Sequence, residues 1–228
     1  MPLNERLCTI LRFITFNIRH ALGLDEQIDL KRVISVIADS YADVVALQEV
    51  DRYMSRSGNI DQAAEIAREL QMEWRYAASL RHGRSEYGNA ILSRYPIEED
   101  EVIFFPGEKE RRSLLNVKLR TDKGTMWALT THLGVTERDR ARQMPMLMTQ
   151  LAKVKSKAIL MGDFNMESNH PLMQRIVGLG WKELEQGCAT VIGGGTIDHL
   201  FIQGIECGYK VYTIPTEASD HNPVMVEI

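Results

Sequence analysis

The chain has 228 residues, of which 44% are hydrophobic and 25% charged, and its formal net charge is −4. This composition is that of an ordinary globular protein and excludes a disordered chain. The negative net charge argues against a protein that grips long stretches of nucleic-acid duplex, because such binding draws on many phosphate neutralisations. We expect one domain over residues 1–228.

The same sequence carries few signs of export. No apolar stretch reaches the roughly 20 residues of a membrane span, and residues 1–12 lack the apolar block of a signal peptide, so we expect a cytoplasmic protein. Three cysteines, Cys8, Cys188 and Cys207, are odd in number and lack metal-site spacing. They are predicted to be free, buried thiols.

Strands and helices alternate along the first half of the chain. An apolar run predicts a strand over residues 11–17, and a helix capped by Asp29 leads to a buried strand over residues 44–47. A second helix is predicted over residues 61–70, and a further strand begins at Asn89.

The second half mixes hairpins with helical connections. A turn at residues 121–124 joins two strands, residues 113–119 and 125–131. Helices are predicted over residues 137–151 and 172–177, and strands over residues 158–161, 196–202, 210–214 and 223–228. Strands joined in both ways predict an α+β fold, with two mostly antiparallel sheets face to face and helices on the outer faces.

Polar residues stand at the ends of these strands, where they can converge on one edge of the sheets. Asn17 leaves the first strand, Glu49 follows the second and His132 ends the hairpin. A carboxylate such as Glu49 suits Mg²⁺, which prefers oxygen ligands, and Asn17 can bind metal-bound water or phosphate. Taken singly, a solvent-exposed glutamate and a turn-forming asparagine are the alternatives.

Two further groups indicate acid–base chemistry. Asp163 and Asn165 follow a short apolar strand two residues apart, so an extended chain would place both side chains on one side, although an Asx turn is the alternative. His221 precedes the last strand and can act in proton transfer, with Asp198 orienting its ring. His199 is interpreted as structural.

Other hydrolase and nucleotide-binding signatures are missing from the sequence. There is no serine nucleophile elbow and no HExxH segment, which excludes serine hydrolases and zincins. Residues 193–195 are three glycines without the strand, helix and lysine context of a phosphate-binding loop, so they are predicted to be a flexible loop.

The order of these short segments resembles the endonuclease/exonuclease/phosphatase superfamily, which includes DNase I-like nucleases, sphingomyelinases and inositol polyphosphate phosphatases. The resemblance spans nearly the whole chain. The segments that carry it are Phe16-Asn17-Ile18, Leu47-Gln48-Glu49-Val50, Gly88-Asn89-Ala90-Ile91-Leu92, Thr131-His132-Leu133, Gly162-Asp163-Phe164-Asn165, Asp198-His199-Leu200-Phe201 and Ser219-Asp220-His221.

The resemblance implies a four-layer α/β/β/α sandwich and hydrolysis of a phosphate ester by in-line attack of water. It implies Mg²⁺ as the cofactor, with Mn²⁺ or Ca²⁺ possible at the same site. The implied metal-binding residues are Glu49, Asn17 and Asp220. The implied catalytic residues are Asp163, Asn165, His221, Asp198 and His132, and Asn89 is expected to line the site.

One departure bears on the substrate. Abasic-site nucleases of this family carry an aspartate two places after the first asparagine, whereas this chain has Arg19, a candidate substrate-binding residue. The leading hypothesis is therefore a Mg²⁺-dependent phosphodiesterase or phosphatase acting on a phosphorylated small molecule or lipid head group, without a protein partner. A Mg²⁺-dependent nuclease and a catalytically silent binding module are the alternatives. Arg111 and Arg112, on the loop after Pro106-Gly107, are expected to be solvent-exposed charges, and a role in selecting the substrate is the alternative.

Overall fold

The computed structural model describes residues 10–185 and 187–228, in which twelve β-strands and four α-helices form a layered fold. Residues 1–9, which include Cys8 and most of the segment considered for a signal peptide, lie outside the described residues. Within the described part, no helix is long and apolar enough to cross a membrane. Cys188 and Cys207 are free as predicted, but both are exposed rather than buried because they lie in loops.

The elements follow one another from the first strand to the last. The strands are β1 (Arg12–Asn17), β2 (Val44–Arg52), β3 (Glu73–His82), β4 (Ser85–Ser93), β5 (Ile97–Phe105), β6 (Arg112–Thr121), β7 (Gly124–His132), β8 (Ala158–Asp163), β9 (Lys182–Glu183), β10 (Asp198–Gln203), β11 (Lys210–Thr213) and β12 (Val224–Glu227). The helices are α1 (Leu30–Ser40), α2 (Gln62–Leu70), α3 (Glu137–Leu151) and α4 (Pro171–Val177).

Two six-stranded sheets contain these strands. The first has the order β11-β12-β1-β2-β4-β3 and the second the order β5-β6-β7-β8-β10-β9. Each sheet has one parallel pair joined by a helix, with α1 between β1 and β2 and α3 between β7 and β8. The remaining pairs in the described chain are antiparallel, which confirms the predicted mixture of hairpins and helical crossovers.

Alternation along the central strands buries both faces of each sheet. In β1, Phe13 packs between the sheets, whereas Ile14 and Phe16 pack against α1 and α2 on the outside. The second sheet buries its outer face against α3 and α4 in the same way, with Leu129 and Leu160 in that layer. Successive side chains of a strand point to opposite faces, so a continuous apolar run is what a doubly covered sheet requires. The four-layer α/β/β/α sandwich is confirmed.

A polar cluster interrupts the apolar layer between the sheets. The Gln48 amide nitrogen donates to the hydroxyl oxygen of Thr15 on β1 at 3.1 Å and to that of Thr130 on β7 at 3.0 Å. All three side chains are fully buried. These hydrogen bonds connect the first sheet to the second, and buried polar groups that are paired in this way avoid a large desolvation penalty.

Most predicted elements are confirmed, and two long strands were missed. Asp29 caps α1 by accepting from the Lys31 amide, and α3 spans residues 137–151 as predicted, with Pro145 inside it. The missed strands are β3 and β5, each of which is an edge strand of its sheet. In β5 the four residues 98–101 are all acidic and exposed, and they separate Ile97 from the apolar run at residues 102–105, so no alternating pattern marked the whole strand.

Candidate active site

Strand ends from both sheets meet at one edge of the sandwich. Asn17 ends β1, and Glu49 lies in the neighbouring strand β2. In the second sheet His132 ends β7, Asp163 ends β8 and Asp198 begins β10, and these three residues lie side by side across the strands. The structure therefore brings all five residues together at one edge of the sheets.

A local irregularity in β2 aims Glu49 out of the sheet. The pairing with β4 shifts register between Leu47 and Val50, and Glu49 has a left-handed φ of 61°. Because of this bulge, Gln48 stays between the sheets while Glu49 reaches the rim, where it is only partly buried. Tyr87 on β4 lies next to Glu49, and burial together with the negative charge of Glu49 raises the pKa of the phenol. The sequence analysis had not singled out Tyr87.

Asn17 connects the carboxylates of the two sheets. Its Oδ1 accepts from the Arg19 amide at 3.1 Å, which fixes the orientation of the side chain. Its Nδ2 donates to Glu49 Oε1 at 3.1 Å and to Asp163 Oδ2 at 3.0 Å. Residues 19–21 all have left-handed φ values, between 45° and 68°, so the chain turns sharply directly after Asn17. This turn brings the backbone amide back onto the Asn17 side chain.

Asp163 lies at the centre of the cluster. Its Oδ1 accepts from the Asn165 amide at 2.9 Å, and its Oδ2 lies 3.4 Å from His132 Nε2 and 3.9 Å from His221 Nε2. Burial and the nearby charge of Asp198 raise the pKa of Asp163, although His221 and hydrogen bonds oppose them. A buried carboxyl with a raised pKa can accept a proton more readily than an exposed one.

Asn165 takes a different conformation from the extended one expected. Its φ is 52°, and the hydrogen bond from its amide to Asp163 Oδ1 forms an Asx turn, the alternative given by the sequence. The Asn165 side chain donates to the Leu133 carbonyl at 2.9 Å. This bond connects the loop after β8 to the loop after β7.

Arg112 determines which nitrogen of His132 carries the proton. Its Nη1 lies 3.3 Å from His132 Nδ1, and because a guanidinium only donates, Nδ1 must accept. Burial, Arg112 and His221 lower the pKa of His132 well below its usual value, so the ring is neutral. The proton therefore resides on Nε2, which faces Asp163.

The expectation that Arg112 is exposed is wrong. Arg112 is 7% exposed and pairs with Glu110 Oε1 at 2.7 Å, whereas the neighbouring Arg111 is exposed as expected. Arg112 begins β6, so its side chain enters the second sheet beside His132 of β7, which pairs with β6. That partner is 20 residues away in the sequence, and a local pattern of charges does not reveal it.

His221 and Asp198 form a close pair. His221 Nδ1 and Asp198 Oδ2 are 2.9 Å apart. Burial lowers the pKa of His221, but the Asp198 hydrogen bond and charge, together with Asp163, raise it to about 9. The ring is therefore an imidazolium at neutral pH. Ser219 holds the segment in place, since its hydroxyl donates to the Asn17 carbonyl at 2.8 Å and accepts from the His221 amide at 3.2 Å.

Three predicted site residues lie at the margin of this cluster. The Asn89 amide donates to Ser113 Oγ at 3.3 Å and is 2% exposed, so it supports the start of β6. Arg19 Nε lies 3.5 Å from Asp220 Oδ2, and both side chains are partly exposed. This ion pair is on the solvent side of the site, where Arg19 can meet a substrate.

His199 has the structural role expected for it. Its Nε2 is 2.7 Å from the Met166 carbonyl and its Nδ1 is 2.9 Å from Glu183. The ring is 1% exposed and packs edge-on against Phe164. Both ring nitrogens are used inside the second sheet, on the side away from the cluster that contains Asp163.

A metal ion could bind among the buried side chains. Asp163, Asp198 and His221 each offer one ligand atom, and these atoms lie within 4.8 Å of one another. The predicted ligands Glu49 and Asn17 adjoin this group through the Asn17 amide. One small space is thus surrounded by carboxylate acceptors, the N–H of neutral His132 and the imidazolium of His221. These are the hydrogen-bond donors and acceptors that a phosphoryl group requires.

Sequence comparison gives both a family and a relative. The Endonuclease/Exonuclease/phosphatase family profile matches residues 14–221, which include every site residue described above. The chain is 29% identical over 177 residues to the protein YbhP of Escherichia coli K12. That match covers 70% of this chain and 66% of YbhP, just under two thirds of its length.

Solved structures share the fold. An endonuclease/exonuclease/phosphatase from Beutenbergia cavernae has a TM-score of 0.80 at 24% identity, covering 96% of this chain and 71% of that one. TDP2 from D. rerio, in complex with a single-strand DNA product, has a TM-score of 0.73 at 16% identity, covering 96% and 98%. At these identities the likeness establishes the fold alone. The family profile, which matches residues 14–221, shows that the chain belongs to the endonuclease/exonuclease/phosphatase family, whose members are hydrolases of phosphoesters.

Proposed function

We propose that this protein is a metal-dependent phosphoesterase that hydrolyses a phosphodiester or phosphomonoester of a small molecule or lipid head group by in-line attack of water. The observation that carries the proposal is the position of Asp163. It is a buried acceptor with the N–H of neutral His132 on one side and the His221 imidazolium on the other. An acceptor for water and two donors for phosphoryl oxygens are the groups that this reaction uses.

The residues fit a hard divalent cation, and we propose Mg²⁺. Glu49 offers a partly exposed carboxylate, and Asn17 and Asp163 adjoin it. Asp198 and His221 are less suited as ligands, because their facing atoms already hydrogen-bond to each other. Asp220 remains a candidate, although its carboxylate contacts Arg19. When bound, the ion polarises a phosphoryl oxygen and stabilises the charge on the leaving oxygen.

Each protein group then has a defined task. Asp163 accepts a hydrogen bond from the attacking water and orients it, with Asn17 holding the carboxylate in place. The His132 Nε2–H donates a hydrogen bond to a non-bridging oxygen of the phosphate, and the His221 imidazolium donates a hydrogen bond to another as negative charge develops. Asn165 is a candidate for a phosphate contact on the same side.

A nuclease is the second candidate function. The specific observation in its favour is the similarity of fold to TDP2, whose structure contains a single-strand DNA product. The net charge of −4 and the Arg19–Asp220 pair at the rim favour a small substrate instead.

The experiment measures turnover by metal-stripped protein, before and after addition of Mg²⁺, on bis-p-nitrophenyl phosphate, p-nitrophenyl phosphate, lipid phosphodiesters and supercoiled plasmid. We expect Mg²⁺ to restore hydrolysis of a small ester. His221→Ala should lower kcat by about 10³-fold, since proton donors contribute roughly 10²–10⁴-fold. Glu49→Gln should lower activity by about 10²-fold and raise the Mg²⁺ concentration required. Glu69→Gln, an exposed glutamate on α2, is the matched control.

The outcomes separate the candidates. Small-ester turnover that survives in Glu69→Gln and is lost in Glu49→Gln and His221→Ala supports the proposal. Plasmid nicking without small-ester turnover would identify a nuclease. If the folded, metal-loaded protein hydrolyses none of these substrates, the binding-module hypothesis replaces the enzyme.

A further inference from the structure

Tyr87 lies beside Glu49 because strand β4 is distorted on both of its sides. The pairing of β4 with β2 shifts register over residues 47–50, and its pairing with β3 shifts over residues 78–80. Gly88 allows β3 and β4 to approach, since a Cβ there would lie only 1.9 Å from a backbone oxygen of β3. Bulges bend a strand and re-aim the side chains next to them. The Tyr87 ring is thereby placed next to the Glu49 side chain.

Arg56 holds the Tyr87 ring from the side of the loop after β2. Its guanidinium carbon lies 5.5 Å from the centre of the ring. The same guanidinium donates twice to Asp51, from Nε to Oδ2 at 2.8 Å and from Nη2 to Oδ1 at 2.7 Å. Asp51 is fully buried and is the direct partner of Tyr87 in the pairing of β2 with β4. A bidentate pair fixes the plane of the guanidinium, and so restricts the ring that packs against it.

Gln62 connects this group with the turn that holds Asn17. Its Oε1 accepts from the Asp51 amide at 2.9 Å, and its Nε2 donates to the His20 carbonyl at 2.9 Å. Gln62 begins α2 and is fully buried. His20 lies in the left-handed turn whose backbone amide fixes the Asn17 side chain. The support of Asn17 and the support of the Tyr87 ring therefore belong to one network of contacts.

Glu49 needs a second support because one hydrogen bond does not fix its carboxylate. The Asn17 amide donates to Glu49 Oε1 at 3.1 Å. A glutamate side chain has several rotatable bonds, and ordering it can cost roughly 1.5–2 kcal/mol of conformational entropy. A phenol can donate to the carboxylate from another direction, and Tyr87 is in position to do so. Partners of this kind orient metal ligands and influence metal affinity.

We propose that Tyr87, held by Arg56, is a positioning residue that orients the Glu49 carboxylate and so sets the affinity of the site for Mg²⁺. The inference rests on the proposed function, in which Glu49 is a metal ligand. It goes beyond that function by giving strand β4 and the loop after β2 a part in metal binding. Arg56 acts through the Tyr87 ring, so replacing Arg56 has no effect once the phenol hydroxyl is gone.

The test is a titration of the metal-stripped full chain with Mn²⁺, followed by electron paramagnetic resonance of the free ion, with Mg²⁺ as competitor. It needs no turnover. We expect Tyr87→Phe, which keeps the ring, to weaken Mn²⁺ binding about tenfold, since partners of metal ligands contribute roughly 10–100-fold to affinity. Arg56→Lys keeps the charge but loses the bidentate fork, and should weaken binding about threefold. The double variant should bind Mn²⁺ as weakly as Tyr87→Phe alone.

Tyr95→Phe and Arg68→Lys are the matched controls, and both should leave the Mn²⁺ affinity unchanged. The Tyr95 hydroxyl also donates to a carboxylate, Asp122 Oδ2 at 3.3 Å, but it does so beyond the opposite end of β4. Arg68 forms exposed ion pairs on α2. Each control therefore loses the same group as its counterpart, at a place remote from Glu49.

The outcomes separate this inference from the proposed function. If Glu49→Gln weakens Mn²⁺ binding and Tyr87→Phe does not, the inference alone is overturned. Effects of Arg56→Lys and Tyr87→Phe that add in full would also overturn it, because Arg56 would then act without Tyr87. If Glu49→Gln leaves the Mn²⁺ affinity unchanged, the proposed metal site fails, and the inference fails with it.

Discussion

The two strand–helix–strand units of the molecule have the same topology and supply different chemistry. The unit β1–α1–β2 carries Asn17 and Glu49 on neighbouring parallel strands, and the unit β7–α3–β8 carries His132 and Asp163 in the same arrangement. Glu49 lies at a bulge with a left-handed φ and is partly exposed. Asp163 is 2% exposed, and regular strand pairing places it at the same edge of the sandwich.

This difference shows how one topology can produce two kinds of carboxylate. Glu49 keeps contact with water, which a cation needs in order to approach it. Asp163 has lost that contact and depends on donors around it, including Asn17 and His132. Burial therefore converts one of two similar acids into a candidate proton acceptor, and leaves the other as a candidate metal ligand.

The largest expected effect comes from neutralising the buried acid. Asp163→Asn should lower kcat by about 10³-fold, because it removes the proposed acceptor for water. The free energy of unfolding above neutral pH should nevertheless rise by about 1–3 kcal/mol, since the change removes a charge whose burial is unfavourable. Steady-state kinetics and urea denaturation of the metal-free protein check both statements.

Glu49→Gln is the comparison for this prediction. It should lower activity without the gain in stability, because Glu49 is only partly buried. If both variants changed stability equally, burial would not be what distinguishes the two carboxylates.

The next effect concerns the strand that carries Asp163. A side chain at Gly162, whose φ is 151°, would place its Cβ 2.0 Å from the Thr131 carbonyl of β7. Gly162→Ala should therefore force β7 and β8 apart beside the site and lower the free energy of unfolding by about 3 kcal/mol or more. Thermal or urea unfolding measures this loss. Gly208→Ala, where a Cβ would meet open space, should change it little.

A smaller effect tests the pair that faces Asp163. Asp198→Asn should lower the pKa of His221 from about 9, measured by NMR titration of the imidazole. A raised histidine pKa contributes stability that is complete below the ordinary value of 6.5 and is lost as pH rises through about 9. The variant should thus be destabilised by about 2 kcal/mol near pH 6 and by much less above pH 9. A destabilisation that does not vary with pH would contradict this account.

The smallest effect lies in the helix of the first unit. Asp29→Ala removes the cap that accepts from the Lys31 amide and should lower the free energy of unfolding by about 1 kcal/mol. Asp39→Ala, in the last turn of the same helix, serves as the control and should not destabilise, because an acid there opposes the helix dipole. Activity per folded molecule should be unchanged in both, since neither residue contacts the site.

Sequence patterns revealed those parts of the fold that are locally determined. Apolar runs predicted β1, β2, β7 and β8, and these strands carry Asn17, Glu49, His132 and Asp163. Strand β5 was missed because its first half is acidic and faces water, so that only the apolar run at residues 102–105 marked it, and its full length depends on pairing with β6. Long-range pairing of this kind leaves no periodic signal in the segment itself.

In the candidate site, too, the residues marked by local sequence were predicted and those placed by long-range pairing were missed. Its acids, amides and histidines follow strands and were identified, whereas the positions of Tyr87 and Arg112 depend on neighbours in space. Tyr87 reaches Glu49 across a strand pair, and Arg112 reaches His132 in the same way. The assignment of Arg112 as an exposed charge failed because nothing near it in sequence shows that β6 buries its first residue.

The hydrogen bonds of Gln48 have a mechanical consequence for a site shared between two sheets. Apolar layers tolerate small sliding movements, because dispersion contacts are not directional. The bonds from Gln48 to Thr15 and Thr130 require a defined geometry and cross from one sheet to the other. Gln48 therefore fixes the alignment of the two sheets one residue away from Glu49. This alignment keeps Glu49 of the first sheet at a fixed distance from Asp163 of the second.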